Sequence, residues 1–524
     1  MTTVTLTLVS HTNAGKTTLA RTLLGRDIGE VRDAPHVTEF ADEHLLLESA
    51  DGHRLMLWDT PGFGDSVRLA RRMRGSANPL GWLLGQVWDR WRDRAFWMSQ
   101  QALRHVKEGS DVLLYLVNAS EPEAGYLQSE MQLLAWTGKP VLVLLNQLGP
   151  PRAADAERAE IEQWRERLAA WAHVRAVLPL DAFARCWVHE AVLLQAVQEA
   201  LAGEAAHAEH AARSAAMASL RATWSARREA VFAQSVAELA ASLARVAGAR
   251  ETVEEAAGLS ARLREWGARF VRPDADDPVA AAEVRLAAEL AQEVRASTER
   301  LLALHGLAGD ARQREGDADD AVTRILQRVA AQIEPHRRVP EGRAAVLGGA
   351  LTGALAGLKA DIATGGLTLG GGLLAGGILG ALGAAGLARG VNLVRGTGQS
   401  WVGWGVAAMP ALVEAALLRY LAVAHYGRGR GEWAEAEAPL HWPAAVAEAL
   451  KPRREALERL WKGRSERHPQ PDDGQSQGLP AALQPLLAEV LRETFARLHP
   501  PAAAPADSPD KSPDNGPDNA RARA

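Results

Sequence analysis

The run Val4-Thr5-Leu6-Thr7-Leu8-Val9, followed by Ser10-His11-Thr12-Asn13-Ala14-Gly15-Lys16-Thr17, decides the fold. An apolar stretch of strand length enters a loop that ends in Gly-Lys-Thr, and Leu19–Leu24 then carries a helical pattern. Strand, loop and helix in this order aim backbone N–H groups at a phosphate. Lys16 adds charge near the β- and γ-phosphates, and Thr17 offers a hydroxyl to Mg²⁺. Ala14, Gly15 and Thr18 complete the cradle. Ser10 stands where this pattern carries its first glycine. The bland alternative is a strand–turn–helix with a chance Gly-Lys-Thr; the segments that follow argue against it.

A loop at Asp33–Phe40 holds one threonine, Thr38, the default second hydroxyl for Mg²⁺ unless it is a plain strand residue. Glu43–Glu48 and His53–Trp58 read as strands joined by the Asp51-Gly52 turn. The second runs into Asp59-Thr-Pro-Gly62, where Asp59 can hold Mg²⁺ through water and the Gly62 N–H can meet the γ-phosphate. Strands at Asp111–Asn118, Pro140–Asn146 and Val174–Leu180 alternate with helices at Glu123–Trp136, Ala153–Ala172 and from near Trp187. This predicts an α/β P-loop NTPase domain over 1–202, Ras-like, with a mostly parallel six-stranded sheet covered on both faces.

Residues 1–200 resemble the Era- and TrmE-related GTPases. The whole chain resembles a bacterial family in which such a domain precedes a Gly-rich C-terminal domain. The resemblance is carried by His-Thr-Asn-Ala-Gly-Lys-Thr (11–17), Asp-Thr-Pro-Gly-Phe (59–63), Gly-Lys-Pro-Val-Leu-Val-Leu-Leu-Asn-Gln (138–147), Leu-Asp-Ala-Phe-Ala-Arg-Cys-Trp (180–187) and Arg-Tyr-Leu-Ala-Val-Ala-His-Tyr-Gly-Arg-Gly-Arg-Gly (419–431). It implies GTP and GDP as ligands, Mg²⁺ as cofactor and hydrolysis of GTP to GDP and phosphate. Lys16, Thr17, Thr38 and Gly62 would act on the phosphates, and Thr17, Thr38 and Asp59 on the metal.

Three positions qualify that reading. Ras-like enzymes follow the switch glycine with a water-orienting glutamine; here Phe63 stands there, which implies another means of orienting water or slow turnover. Asn13 occupies the place of an asparagine that helps bind K⁺ in potassium-activated relatives; its plain alternative is tolerance of a tight loop. Asn146-Gln147-Leu148-Gly149 replaces the usual Asn-Lys-x-Asp, so the guanine-reading carboxylate is missing. Asn146 then bonds the base or bridges to the loop, and the Gln147 stem covers a base face. Asp181, beside Ala182, either supplies the carboxylate or caps a helix.

Between the switch and the fourth strand lies an insertion, 64–108. It opens with Arg68, Arg71, Arg72 and Arg74, then places Leu84, Val87, Trp88, Trp91, Ala95, Met98 and Ala102 at helical spacing. This is an amphipathic helix laid on the domain or a surface helix for a membrane or partner. The formal net charge of −5 argues against a general nucleic-acid binder. Cys186 is the single cysteine, which excludes an intramolecular disulfide framework and fits a reducing cytosol. The start runs straight into the first strand, leaving no room for a signal peptide.

Residues 203–336 read as a bundle of long helices, with Met217–Val246 and Ala280–His305 separated by a break at Pro273–Pro278. His207, His210 and His305 lack ligand spacing. Within 337–463 the composition turns Gly-rich and apolar. Ala344–Leu358 is followed by the uncharged Ile362–Ala388, with glycines four apart at 349, 353 and 357 and at 372, 376 and 380. That is either a re-entrant hydrophobic hairpin bent at Lys359 and Asp361 or a helical pair buried in protein. Trp401 and Trp404, with Arg389 and Arg395, suit a membrane interface. Pro410–Gly431 adds an apolar helix, 464–499 a C-terminal helix, and 500–524 a disordered tail.

The reading is a cytoplasmic GTPase switch coupled to an all-α region, peripheral or re-entrant at the inner membrane. Its partners would be nucleotide and a membrane or membrane protein through 344–431, with no nucleic acid and with self-association open. The alternatives are a nucleotide-binding scaffold with little hydrolysis and a dynamin-like membrane remodeller.

Overall fold

The computed structural model describes residues 1–12, 14–25, 42–76, 78–79, 81, 94–122, 124–148, 154–180, 186–203, 208–253, 278–306, 391–394, 400–406, 408–425, 441–465 and 478–500. The N-terminal part alternates β1 (Thr3–Ser10), α1 (Lys16–Leu24), β2 (Asp42–Glu48), β3 (Arg54–Asp59), α2 (Ser66–Arg74), α3 (Arg94–Gly109), β4 (Val112–Asn118), α4 (Leu127–Thr137), β5 (Val141–Asn146), α5 (Ala154–Leu168), β6 (Val174–Pro179) and α6 (Trp187–Ala202). The strands form one sheet in the order β2-β3-β1-β4-β5-β6, antiparallel only between β2 and β3. Central strands β1, β4 and β5 are buried on both faces, so they read as continuous apolar runs rather than alternating ones. Register pairs Leu8 with Asp59, Ser10 with Leu116 and Asn118 with Asn146. The C-terminal strand ends thus share one edge, where ligands of open parallel sheets sit.

The insertion's described helix, α3, is laid on the domain. Phe96, Met98, Ala102, Leu103 and Val106 are buried, several of them against Leu69 and Met73 of α2. Residues 82–93, which hold the stripe Leu84–Trp91, lie outside the described residues.

Helix α7 (Ala208–Gly248) is 41 residues long and joins the two halves of the molecule. At its start Arg213 pairs with Asp111 at 3.0 Å, and Ser219 donates to Asp51 at 2.8 Å. Farther along, Arg228 reaches Glu190 at 2.9 Å. Its remaining length packs on α8 (Pro278–Leu304), α9 (Met409–Ala424), α11 (Arg454–Ser465) and α12 (Gly478–Leu498), with α10 (His441–Leu450) in the same apolar core. Among the described residues α7 is the one helix long and apolar enough to cross a membrane, and 56% of that window is buried in protein.

The helical region also holds strands that no sequence pattern announced. β7 (Arg250–Val253), β8 (Val391–Val394) and β9 (Ser400–Trp404) form an antiparallel sheet in the order β7-β9-β8. This corrects the interfacial reading of Trp401 and Trp404. Both indoles are buried, Trp401 beneath the Arg250 guanidinium at 4.5 Å and Trp404 in the helical core. α9 is likewise a core helix. The run 344–388 and the tail 501–524 lie outside the described residues.

Candidate functional site

β1 delivers the chain at Ser10, where Phe63 N–H donates to the Ser10 carbonyl at 2.9 Å and His11 bridges to Phe63. The segment after Asp59 therefore runs beside the start of the loop. At the loop's end Gly15 takes φ 90°, a left-handed conformation that L side chains rarely adopt. A Cβ there would stand 2.8 Å from Nδ2 of Asn146. That amide is engaged: Asn146 Nδ2 donates to the Ala14 carbonyl at 2.9 Å. Of the two roles left open for Asn146, the bridge to the loop is the one formed.

Lys16, at the first position of α1, is buried, and its Nζ donates to Ser10 Oγ at 2.8 Å. Ser10 in turn donates to the His11 carbonyl. The serine in the glycine position thus has work: its hydroxyl holds the ammonium at the loop. Burial lowers the Lys16 pKa, against the pull of Asp59 and Glu130. A cation in that state gains most from an arriving phosphate.

Thr17 Oγ1 donates to Asp59 Oδ2 at 2.6 Å. The other carboxylate oxygen, Asp59 Oδ1, is buried with no hydrogen-bond partner among the described residues. Burial raises the Asp59 pKa, with the Thr17 hydrogen bond and Lys16 opposing. A hydroxyl beside a buried, half-satisfied carboxylate is a hard oxygen donor set, and it fits Mg²⁺. Thr18 is buried one residue on in α1.

Gly62 lies against the loop. A Cβ there would be 3.0 Å from Lys16 Nζ and 3.0 Å from Thr12 Cα, so backbone at this point can approach a ligand that a side chain would obstruct. Phe63 is wholly buried among Leu69, Phe96 and Leu103 and offers nothing polar to a water. The next two amides, of Gly64 and Asp65, both donate to Ser99 Oγ on α3, at 2.9 and 3.0 Å. Arg68 and Arg72 of α2 stack on Phe96 at 4.6 and 4.9 Å. The inserted helices are thereby fastened to the segment that would sense the γ-phosphate.

A further network escaped the sequence reading. His11 Nδ1 meets Glu130 Oε1 at 2.8 Å, Tyr115 donates to Glu130 Oε2 at 2.7 Å, and Tyr126 stacks on His11 with centroids 4.0 Å apart. Burial and the Glu130 charge push the Tyr126 phenol up to about 12. The available signal was Glu130 itself, a carboxylate at a position of α4 that is buried beside Met131 and Leu134.

On the base side, Gln147 follows Asn146 exposed and left-handed, at φ 59°, the single non-glycine residue with positive φ among the described residues. Such a conformation in a non-glycine residue is uncommon and collects at ligand sites. Asn13, Thr38, Asp181 and Ala182 lie outside the described residues.

Residues 5–147 match the family described as 50S ribosome-binding GTPase. GTPase Der of Deinococcus deserti is 27% identical over 149 residues, which cover 28% of this chain and 26% of Der, so the likeness spans about a quarter of that protein's length. Among solved structures, Aquifex aeolicus Era bound to GDP and aluminium fluoride is 18% identical over 34% of this chain and 52% of Era, with a TM-score of 0.27. An Era complex with MgGDPNP and a segment of 16S ribosomal RNA is 18% identical over 34% of this chain and 51% of that one, with a TM-score of 0.26. With the family match over residues 5–147, the Lys16–Ser10 and Thr17–Asp59 geometry makes the N-terminal α/β part a P-loop domain similar to that GTPase family.

Proposed function

We propose that the chain is a slow GTP-hydrolysing switch whose nucleotide state is transmitted to the inserted helices and, through α7, to the helical region. The observation that carries this is the pairing of a buried Lys16 ammonium with a half-satisfied Asp59 carboxylate across one loop. In this reading Lys16 and the N–H groups of residues 14–18 hold the phosphates. Thr17 and Asp59, with Thr38, hold Mg²⁺, which supplies charge neutralisation at the β- and γ-phosphates. The Gly62 N–H meets the γ-phosphate, and a shift there passes through Gly64 and Asp65 to Ser99 on α3.

Slow turnover follows from the burial of Phe63, which leaves the usual water-orienting position without a polar group. A monovalent cation held by Asn13 would compensate by neutralising developing charge between the phosphates. Guanine selection rests on Gln147 and Asp181, since Asn146 is committed to the loop. Membrane attachment rests on residues 344–388 alone, because Trp401, Trp404 and α9 are inside protein.

The test is GTP turnover by the full chain in KCl against NaCl, with Lys16→Ala as the blank. Turnover that rises in potassium and vanishes in the variant is the expected result. Turnover indifferent to the cation would remove the potassium site and keep the switch. A folded chain that binds GTP but turns over no faster than the blank in either salt would leave a nucleotide-binding scaffold.

A further inference from the structure

Three segments distant in sequence converge on a cluster of metal-binding side chains that the nucleotide site does not use. Cys186 is the residue before α6, His425 the residue after α9, and His499 follows α12. One donor atom from each, the Cys186 sulfur and a ring nitrogen of each histidine, lies within 4.8 Å of the other two. Cys186 and His425 are buried. The rings of His425 and His499 stack at 5.2 Å, and His189, one turn into α6, stands edge-on to His499 at 4.9 Å.

The hydrogen bonds fix how these groups present themselves. His425 Nδ1 is 2.7 Å from the Leu421 carbonyl, which can only accept, so Nδ1 carries the proton and Nε2 is left with a bare lone pair. That is the arrangement in which a metal-binding histidine is oriented by a backbone carbonyl on its far nitrogen. His425 Nε2 points at His499 Nε2, 2.9 Å away. His189 Nδ1 is buried and has no hydrogen-bond partner among the described residues.

The bland account is a packed histidine pair sharing one hydrogen bond beside a buried thiol. It leaves the His189 nitrogen unsatisfied, a cost that native interiors usually avoid. It also gathers three imidazoles around the one thiol of the chain.

We propose that Cys186, His425 and His499 form a zinc site, and that His189, edge-on to His499, turns its unpartnered Nδ1 in as the fourth ligand when the metal binds. Imidazole nitrogens with one thiolate suit Zn²⁺ rather than Mg²⁺ or Ca²⁺, which take oxygen donors. A tetrahedral zinc with Zn–N of about 2.0–2.1 Å and Zn–S of about 2.3 Å spaces its donors roughly 3.3–3.7 Å apart. The 2.9 Å between the two Nε2 atoms brackets that from below, and the 4.8 Å limit of the cluster from above. Binding releases the Cys186 thiol proton to solvent, and the metal takes the thiolate in its place. Zinc here would clamp the ends of α9 and α12 to the start of α6. In sequence α6 directly follows Leu180–Arg185, the stretch expected to read the base. The site does not depend on the GTPase reading.

The experiment is titration of the nucleotide-free, metal-stripped full chain with Co²⁺ followed by absorption, then displacement by Zn²⁺. One cobalt per chain is expected, with intense visible bands of a tetrahedral site and a near-ultraviolet thiolate-to-cobalt band. Cys186 is the only cysteine, so that band has a single possible source. Cys186→Ser should abolish it, and His499→Gln should weaken cobalt binding at least tenfold, with circular dichroism confirming that both variants are folded. A thermal midpoint of the wild-type chain that rises with one equivalent of Zn²⁺ is the check that needs no variant. A folded wild-type chain with no thiolate band and no thermal response to Zn²⁺ would overturn the site, as would tetrahedral cobalt retained at full affinity in Cys186→Ser.

Discussion

Lys16 and Arg419 are both buried cations, and they are settled in opposite ways. Lys16 sits at the open end of a loop with one hydroxyl, Ser10 Oγ, and a carboxylate, Asp59, in range. Arg419, on α9, donates to the Val294 carbonyl and to Ser297 Oγ at 3.3 Å each, both on α8, with no carboxylate among the described residues hydrogen-bonded to it. Burial pushes its guanidinium down to about 10, although Glu293 and Glu238 attract it. In the proposed reading, the first cation awaits a phosphate. The second is spent on joining two helices. A buried charge is therefore functional evidence only where its surroundings leave it partly unsatisfied and reachable.

The sharpest way to break the contrast is to remove Lys16. Lys16→Met keeps the stem's volume and deletes the charge. Nucleotide affinity should fall by at least about 100-fold, or about 2.8 kcal/mol at 1.4 per tenfold. The thermal midpoint without nucleotide should stay within a few degrees of wild type, because losing a desolvated cation offsets losing its attraction to Asp59. Titration with a fluorescent GTP analogue and a melting scan read the two quantities separately. A large fall in the midpoint with binding intact would make Lys16 structural, like Arg419.

Gly15→Ala tests the loop that presents Lys16 and should weaken nucleotide binding less than Lys16→Met while costing more stability. The left-handed φ of 90° costs a side chain about 1–2 kcal/mol. The added Cβ, 2.8 Å from Asn146 Nδ2, also displaces the amide that holds Ala14. Urea denaturation should show destabilisation of about that size, with nucleotide binding weakened about tenfold. Unchanged stability would mean that the loop relaxes freely and that the Asn146 bridge does not constrain it.

The two regions also differed in how far the chain disclosed them. Ser10–Thr17, Asp59–Gly62 and the buried strands were legible because each is a local pattern, and parallel strands separated by helices admit few arrangements. Glu130 was missed because its partners, His11 and Tyr115, lie 119 and 15 residues away. β7, β8 and β9 are four or five residues each, and β7 pairs with β9 across more than a hundred positions, so no periodicity marked them. Trp401 and Trp404 were misread for the same reason: an aromatic beside an apolar run looks alike at a membrane surface and in a small buried sheet. His425 and His499 stood 74 residues apart with no ligand spacing, just as the scattered His207, His210 and His305 lack it. Of these His305 packs edge-on to Tyr420 at 5.7 Å. What is non-local in this molecule is what its sequence concealed.

Arg419 offers the smallest effect and the finest discrimination. Its acceptors have other partners: the Val294 carbonyl already receives the Thr298 hydroxyl at 2.7 Å, and Ser297 can turn its own hydroxyl toward the helix backbone. Replacing the guanidinium by an apolar side chain of similar length thus strands no acceptor and removes the cost of desolvating a cation. Arg419→Met should change stability by less than about 1 kcal/mol in either direction, with nucleotide binding untouched. Arg419→Ala leaves a cavity between α8 and α9 and should cost more, about 2–4 kcal/mol. If the methionine variant proved as damaging as the alanine one, the charge rather than the volume would hold the helices together. Arg419 would then resemble Lys16 in depending on an anionic partner, and Glu293, which already raises its pKa by attraction, would be the residue to substitute next.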